Sequence, residues 1–122
     1  MITIIQNIVD SLHPSYELAF REYTTLHGID SSYDRTAFEE ASRQPDVIKY
    51  CVYRSFLGYL REKQAENKPF PQLYLTVQLD SKARNFNTCL LGTKERDMAR
   101  AKLEAWIQIE NIWNLCQKRS SI

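Results

Sequence analysis

One stretch near the end of the chain, Thr93 to Lys118, limits what the rest can become, because its apolar residues recur with the period of a helix. With Trp106 at position a of a heptad, Met98, Ala99, Ala105, Trp106, Ile109, Ile112, Trp113 and Cys116 fall at g, a and d, and Lys102 alone interrupts the seam. A stripe three positions wide exceeds the seam of a two-stranded coil and suits a helix buried against a bundle. Leu103 and Ile107 widen it on one flank, which predicts neighbours on two sides. About 26 residues at 1.5 Å rise make a rod of roughly 39 Å, against ~27 Å for twice the radius of gyration of a compact chain this size. One end is thus placed to meet another subunit. Trp106, Ile109 and Trp113 are the candidate protein-interface anchors, since desolvated aromatic side chains dominate such contacts. The competing reading makes both tryptophans core residues of the monomer.

A chain of 122 residues is read as a single helical domain over 1–122, able to bury a core without metals or disulfides. Cys51, Cys89 and Cys116 are odd in number, have no metal-ligand spacing and lie among apolar neighbours. They read as buried thiols in a reducing compartment. Met1 to Leu12 has no basic n-region and no small-residue cleavage pattern, and no apolar run approaches a membrane-spanning length. The expected location is cytoplasmic. The net charge is only +1, yet residues 1–46 hold three Lys/Arg against eight Asp/Glu and residues 47–122 hold thirteen against seven. Two such halves can attract each other, or the basic one can meet an acidic partner such as nucleic acid.

Along the chain, Ile2, Ile5, Ile8 or Val9, and Leu12 have helical spacing that stops at His13-Pro14. Pro14 suits the first turn of a second helix carrying Tyr16, Leu18, Ala19, Phe20, Tyr23 and Leu26 and ending at Gly28. A third short helix is expected over about 34–43. Pro45 and Asp46 open a fourth, through about Glu66, whose first half is so apolar that it should be the central helix. Gly58 within it suggests a close helix crossing or a tolerant surface position. Lys63 to Lys68 reads as a fraying end, and Pro69 and Pro71 mark the clearest break.

The segment after that break supports two readings. Leu73, Leu75, Val77 and Leu79 alternate with polar or aromatic residues as in a strand, with Phe86 to Leu91 as a hairpin partner. Leu75, Leu79, Ala83, Phe86 and Leu90 form instead one helical stripe covering the whole segment, whereas the alternation covers its first half. Pro71 at the start, Gly92 past the end and Thr93 as the next N-cap complete a helix, tight turn, helix pattern. We therefore read an all-α fold, a compact bundle of about six helices with a C-terminal αα-hairpin. The alternative is α+β with a β-hairpin at 73–91.

Across such a hairpin Arg84 faces Arg100 and Lys82 faces Lys102. Arg84, Arg96 and Arg100 project away from the apolar stripes, with Lys94 near the tip, and could neutralise phosphates in a salt-sensitive manner. Residues 38–49 also look like a loose helix-turn-helix with Ala41 in the small-residue slot, although Pro45 replaces the usual turn glycine and the second helix is largely apolar. Residues 69–104, with a proline start, a helix, Leu91-Gly92 and a helix carrying Arg96 and Arg100, resemble the C-terminal pattern of phage small-terminase subunits over less than a third of the chain. That resemblance implies oligomerisation and DNA binding.

Signals for catalysis are sparse. His13 and His27 lie fourteen residues apart, too far to chelate one metal from a helix face, and the three glycines form no phosphate loop. There is no nucleophile elbow, HExxH or CxxC. The residues predict no catalytic or metal site, no cofactor and no small-molecule substrate. They predict a non-catalytic cytosolic interaction or assembly protein that self-associates or binds a protein partner through its C-terminal helix. The alternative is a nucleic-acid-binding protein using the basic hairpin.

Overall fold

The computed structural model of the chain describes residues 1–27 and 40–120. Five helical segments occur among them: α1 (Ile2–His27), α2 (40–43), α3 (Pro45–Ala65), α4 (Gln72–Thr88) and α5 (Lys94–Ser120). The fold is all-α, and no strand occurs among the described residues. Helix α3 is central, with α1 on one side and α5 on another, and α4 packs along α5. The largest fully buried side chains, Ile5, Phe56 and Ile109, come from α1, α3 and α5 respectively. No helix among the described residues is long and apolar enough to cross a membrane.

Two helices were expected on either side of His13-Pro14, and one continuous α1 is found, with Pro14 inside it. An internal proline removes one backbone hydrogen bond and crowds the preceding turn, at about 3 kcal/mol. Packing on both sides of the proline offsets this cost. Ile5 and Val9 are buried before it, while Ala19 is buried after it and Tyr16 stacks on Tyr50 of α3 at 4.5 Å between ring centres. One apolar face thus runs past Pro14 along a single partner. The expected helix end at Gly28, and the start of the helix expected over 34–43, lie outside the described residues.

Helix α3 begins and ends for local reasons. Gln44 is extended, Pro45 occupies the first turn where its missing N–H costs nothing, and Asp46 sits near the positive end of the helix dipole. At the other end the expected fraying is replaced by a closed cap. Asn67 adopts φ 57° and donates its backbone N–H to the Gln64 carbonyl at 3.0 Å, and Lys68 donates to the Lys63 carbonyl at 2.9 Å. This is the Schellman pattern, with asparagine in the left-handed position more often held by glycine.

The segment over 73–91 is helical through Thr88, so the β-hairpin alternative is overturned. Its alternation dissolves on the helix: Leu75 is buried and Leu79 half-buried, while Leu73 and Val77 face solvent. The pattern looked strand-like because apolar residues lie on both the covered and the open side of α4. The turn into α5 follows the expected chemistry. Gly92 has φ 77°, and the Thr93 hydroxyl accepts the Arg96 backbone N–H at 3.2 Å as an N-cap.

At Gly58 the two readings separate. The residue is exposed, and a Cβ built there would meet nothing within 4 Å among the described residues, so none of their helices crosses closely. Gly58→Ala should stabilise the protein by about 0.5–1 kcal/mol, because alanine loses less backbone freedom in a helix. Urea unfolding followed by circular dichroism would show a raised midpoint at unchanged slope.

Candidate functional site

The C-terminal helix carries the candidate site, and its packing decides which side chains can meet a partner. Ala99, Ala105, Trp106, Ile109 and Ile112 are all buried against the bundle, with Trp106 6% and Ile109 0% exposed. Trp106 makes an edge contact with Phe56 of α3, 5.7 Å between ring centres, and another with Tyr74 of α4 at 6.1 Å. Trp113 is half-buried and lies 4.8 Å from Phe70. Of the three candidate anchors, two lie inside the single chain and the third is packed against the segment that joins α3 to α4.

Phe70 escaped the sequence reading because it sits between two prolines, where no periodicity marks it. Its ring meets Phe56 and Tyr59 of α3 edge-on at 5.5 and 5.9 Å, and approaches Tyr74 of α4 at 6.2 Å. Tyr59 and Tyr74 stack at 4.3 Å. Phe70 therefore joins α3, α4 and α5 into one aromatic cluster. Burial pushes the Tyr74 hydroxyl pKa above its usual value, with nearby Tyr59 adding to the effect. Burial, and secondarily the charge of Glu104, does the same for Tyr53 on α3.

What α5 leaves open lies on its flanks. On one side Leu103 and Ile107 form a groove with Leu79 and Ala83 of α4, rimmed by Asp80 and Glu110. On the other, Ile112, Leu115 and Cys116 form a groove with Ile4 and Ile8 of α1. Ile107 is 45% and Leu115 58% exposed. The widened flank seen in the heptad pattern corresponds to the first groove; the second joins Ile112 and Cys116 of the seam to Leu115, which the sequence reading does not single out.

Of the basic residues of the hairpin, Arg96 and Arg100 approach one ring, that of Phe86. Arg84 is exposed and pairs with Asp80 one turn earlier at 2.9 Å. Lys94 is exposed in a depression that also includes Glu40 and Asp97. Arg100 is exposed, 5.7 Å from the centre of the Phe86 ring. Arg96 departs from the outward position that projection on an isolated helix implies. It is half-buried, its guanidinium covers Phe86 at 4.0 Å, and one of its nitrogens donates to the carbonyls of Phe86 and Cys89 at 3.2 and 3.3 Å. Both carbonyls lie at the end of α4, where Phe86 also accepts the Cys89 backbone N–H at 3.3 Å, so Arg96 adds to the cap of the neighbouring helix. Its Nε is buried without an acceptor among the described residues.

Other candidates take bland positions. Ala41 is buried with Ala19 and Val47, so the small residue does sit where helices cross, but the following helix turns its apolar side into the core. His13 lies 3.5 Å from Glu17 and tilts against Tyr50. The cysteines are less buried than expected: Cys51 is exposed and the other two are half-buried. On α3 the apolar sequence neighbours of Cys51 point to other faces of the helix. Among the described residues no three His, Cys, Asp or Glu side chains come together as a metal site.

No protein-family model, curated protein or solved structure matches the chain.

Proposed function

We propose that the protein is a non-catalytic assembly protein of the cell interior, which meets a second copy of itself or another protein along the outer flanks of α5. The supporting observation is the pair of apolar grooves on opposite sides of that helix, with Ile107 and Leu115 on their walls. In this reading Trp106, Ile109 and Trp113 hold α5 rigidly in the bundle, and Ile107, Leu103, Leu115 and Ile4 make the contact. An exposed leucine or isoleucine alone means little, but apolar residues that line a groove on a stable helix can accept a partner's side chains. The charged rim of the first groove, Asp80 and Glu110, fits the polar border typical of such surfaces.

The test is light scattering coupled to size exclusion over a wide concentration range, at low and high salt, with and without a short DNA duplex. We expect a mass above that of the 14.4 kDa monomer that ignores DNA. Ile107→Asp with Leu115→Asp should raise the dissociation constant by about 100-fold or more, because two charges would be desolvated in the contact. Both positions are exposed, so the variant should keep the helical circular dichroism of the parent. A monomer at every concentration would restrict the proposal to a different protein as partner. A DNA-dependent mass lost at high salt would overturn it and move Arg84, Lys94 and Arg100 to the centre, with nucleic acid as the partner.

A further inference from the structure

A third cleft lies away from both grooves, between α3 and α5, with one residue of α4 and Ser42 of α2 at its edge. Ile48, Cys51, Val52 and Ser55 supply the α3 wall, Met98, Lys102 and Trp106 the α5 wall, and Lys82 reaches in from α4. Its volume is about 400 Å³, within the range of small-molecule sites. Met98, Lys102 and Trp106 follow one another at intervals of one turn, so the lysine that interrupts the apolar seam of α5 lies in an otherwise apolar wall. Lys82, its expected neighbour across the hairpin, lines the same cleft.

Lys82 and Lys102, both half-buried as residues, put two positive charges on the border of one apolar cleft, where an anion would be attracted to both. Among the described residues neither lysine has a carboxylate within ion-pair distance, and the acidic residues two positions away are engaged elsewhere. Asp80 holds Arg84 at 2.9 Å, and Glu104 holds Lys49 at 2.9 Å. In the structural explanation the stem of Lys102 covers the core and its head stays in water, an arrangement that leaves the charge open to an anion. The cleft is also too small to be a protein interface by itself, since stable ones bury roughly 800 Å² per partner.

We propose that this cleft binds a small amphipathic organic anion, with its carboxylate between Lys82 and Lys102 and its apolar body against Ile48, Val52, Met98 and Trp106. The ammonium groups would supply charge-assisted hydrogen bonds, and the walls would supply burial. The inference is independent of the assembly reading, because it uses none of the residues of the α5 flank grooves.

Decanoate, a soluble straight-chain carboxylate, is the probe, titrated by calorimetry below its micelle concentration, with 1-decanol as the uncharged control. We expect saturable one-to-one binding that changes the tryptophan emission and is at least about tenfold tighter for decanoate than for decanol. Lys82→Met and Lys102→Met should each weaken decanoate by about tenfold, leave decanol unchanged and retain the parent's thermal midpoint within a few degrees. Ser55→Trp, at an exposed position on the wall, should block both ligands. Ile107→Asp with Leu115→Asp should leave binding unchanged, which separates failure here from failure of the assembly proposal. Absence of binding at millimolar decanoate, equal affinity for decanol, or indifference to both lysine variants would each overturn the inference. So would a complex formed only by an acidic helical peptide and not by decanoate.

Discussion

Trp106→Ala should cost the protein about 3–5 kcal/mol of folding stability, the range for truncating a buried aromatic residue in a core that cannot collapse around the gap. The estimate rests on a side chain 6% exposed that touches Phe56 on one helix and Tyr74 on another. For a chain of this length such a loss lowers the thermal midpoint by about 10–20 °C. The measurement is urea unfolding monitored at 222 nm, run at two protein concentrations tenfold apart. A concentration-independent loss places Trp106 in the core of the monomer. A loss confined to low concentration, with the dilute wild type equally unstable, would show that the same residue is held by a second chain. A change below about 1 kcal/mol would contradict the packing described here.

The second large effect is expected from a loop. Phe70→Ala should destabilise the protein by about 2–4 kcal/mol, somewhat below the range for fully enclosed aromatic residues because Phe70 is only half-buried. Its ring is shared by Phe56, Tyr59, Tyr74 and Trp113, so its removal loosens contacts among three helices at once. Phe70→Leu should recover part of the loss by refilling the volume without the edge-to-face geometry, which is worth about 0.5–1.5 kcal/mol per aromatic pair. Differential scanning calorimetry of the three proteins would order them wild type, leucine, alanine. An alanine variant as stable as the leucine one would mean that the space around Phe70 closes freely.

How much of this was legible in the sequence depended on whether the signal was local. The α5 seam was readable because period and composition agree over several turns. Thr93 and Gly92 were readable because a hydroxyl N-cap and a left-handed glycine have few other uses. Pro14 misled because the rule for an internal proline is local, while the decision rested on Tyr16 and Ala19 meeting α3 on the far side. Projecting α5 alone places Arg96 outward; the acceptors that turn it inward belong to the end of α4. Phe70 had no periodicity to mark it, and the exposure of Cys51 was hidden because apolar neighbours in sequence occupy different faces of a helix. Of the candidate site, the helix itself was legible and its contact face was not. The central residues of the stripe are the ones its own bundle consumes, which leaves on the outside Ile107, a flanking member of the pattern, and Leu115, which the pattern does not include.

The cap that Arg96 places on α4 also bears on the order in which the chain assembles. Ten residues separate Arg96 from the Phe86 carbonyl it holds, whereas the contact from Arg61 to Gln6, which ties α3 to α1, spans 55. The entropic cost of closing a loop rises with its length, and the tight turn through Gly92 is further shortened by the Thr93 cap. The α4–α5 hairpin is thus the unit that can close early and at small cost, offering Trp106 and Trp113 as an apolar surface onto which α3 and then α1 can condense. A residue that reads as a surface charge would in this way act on the folding rate.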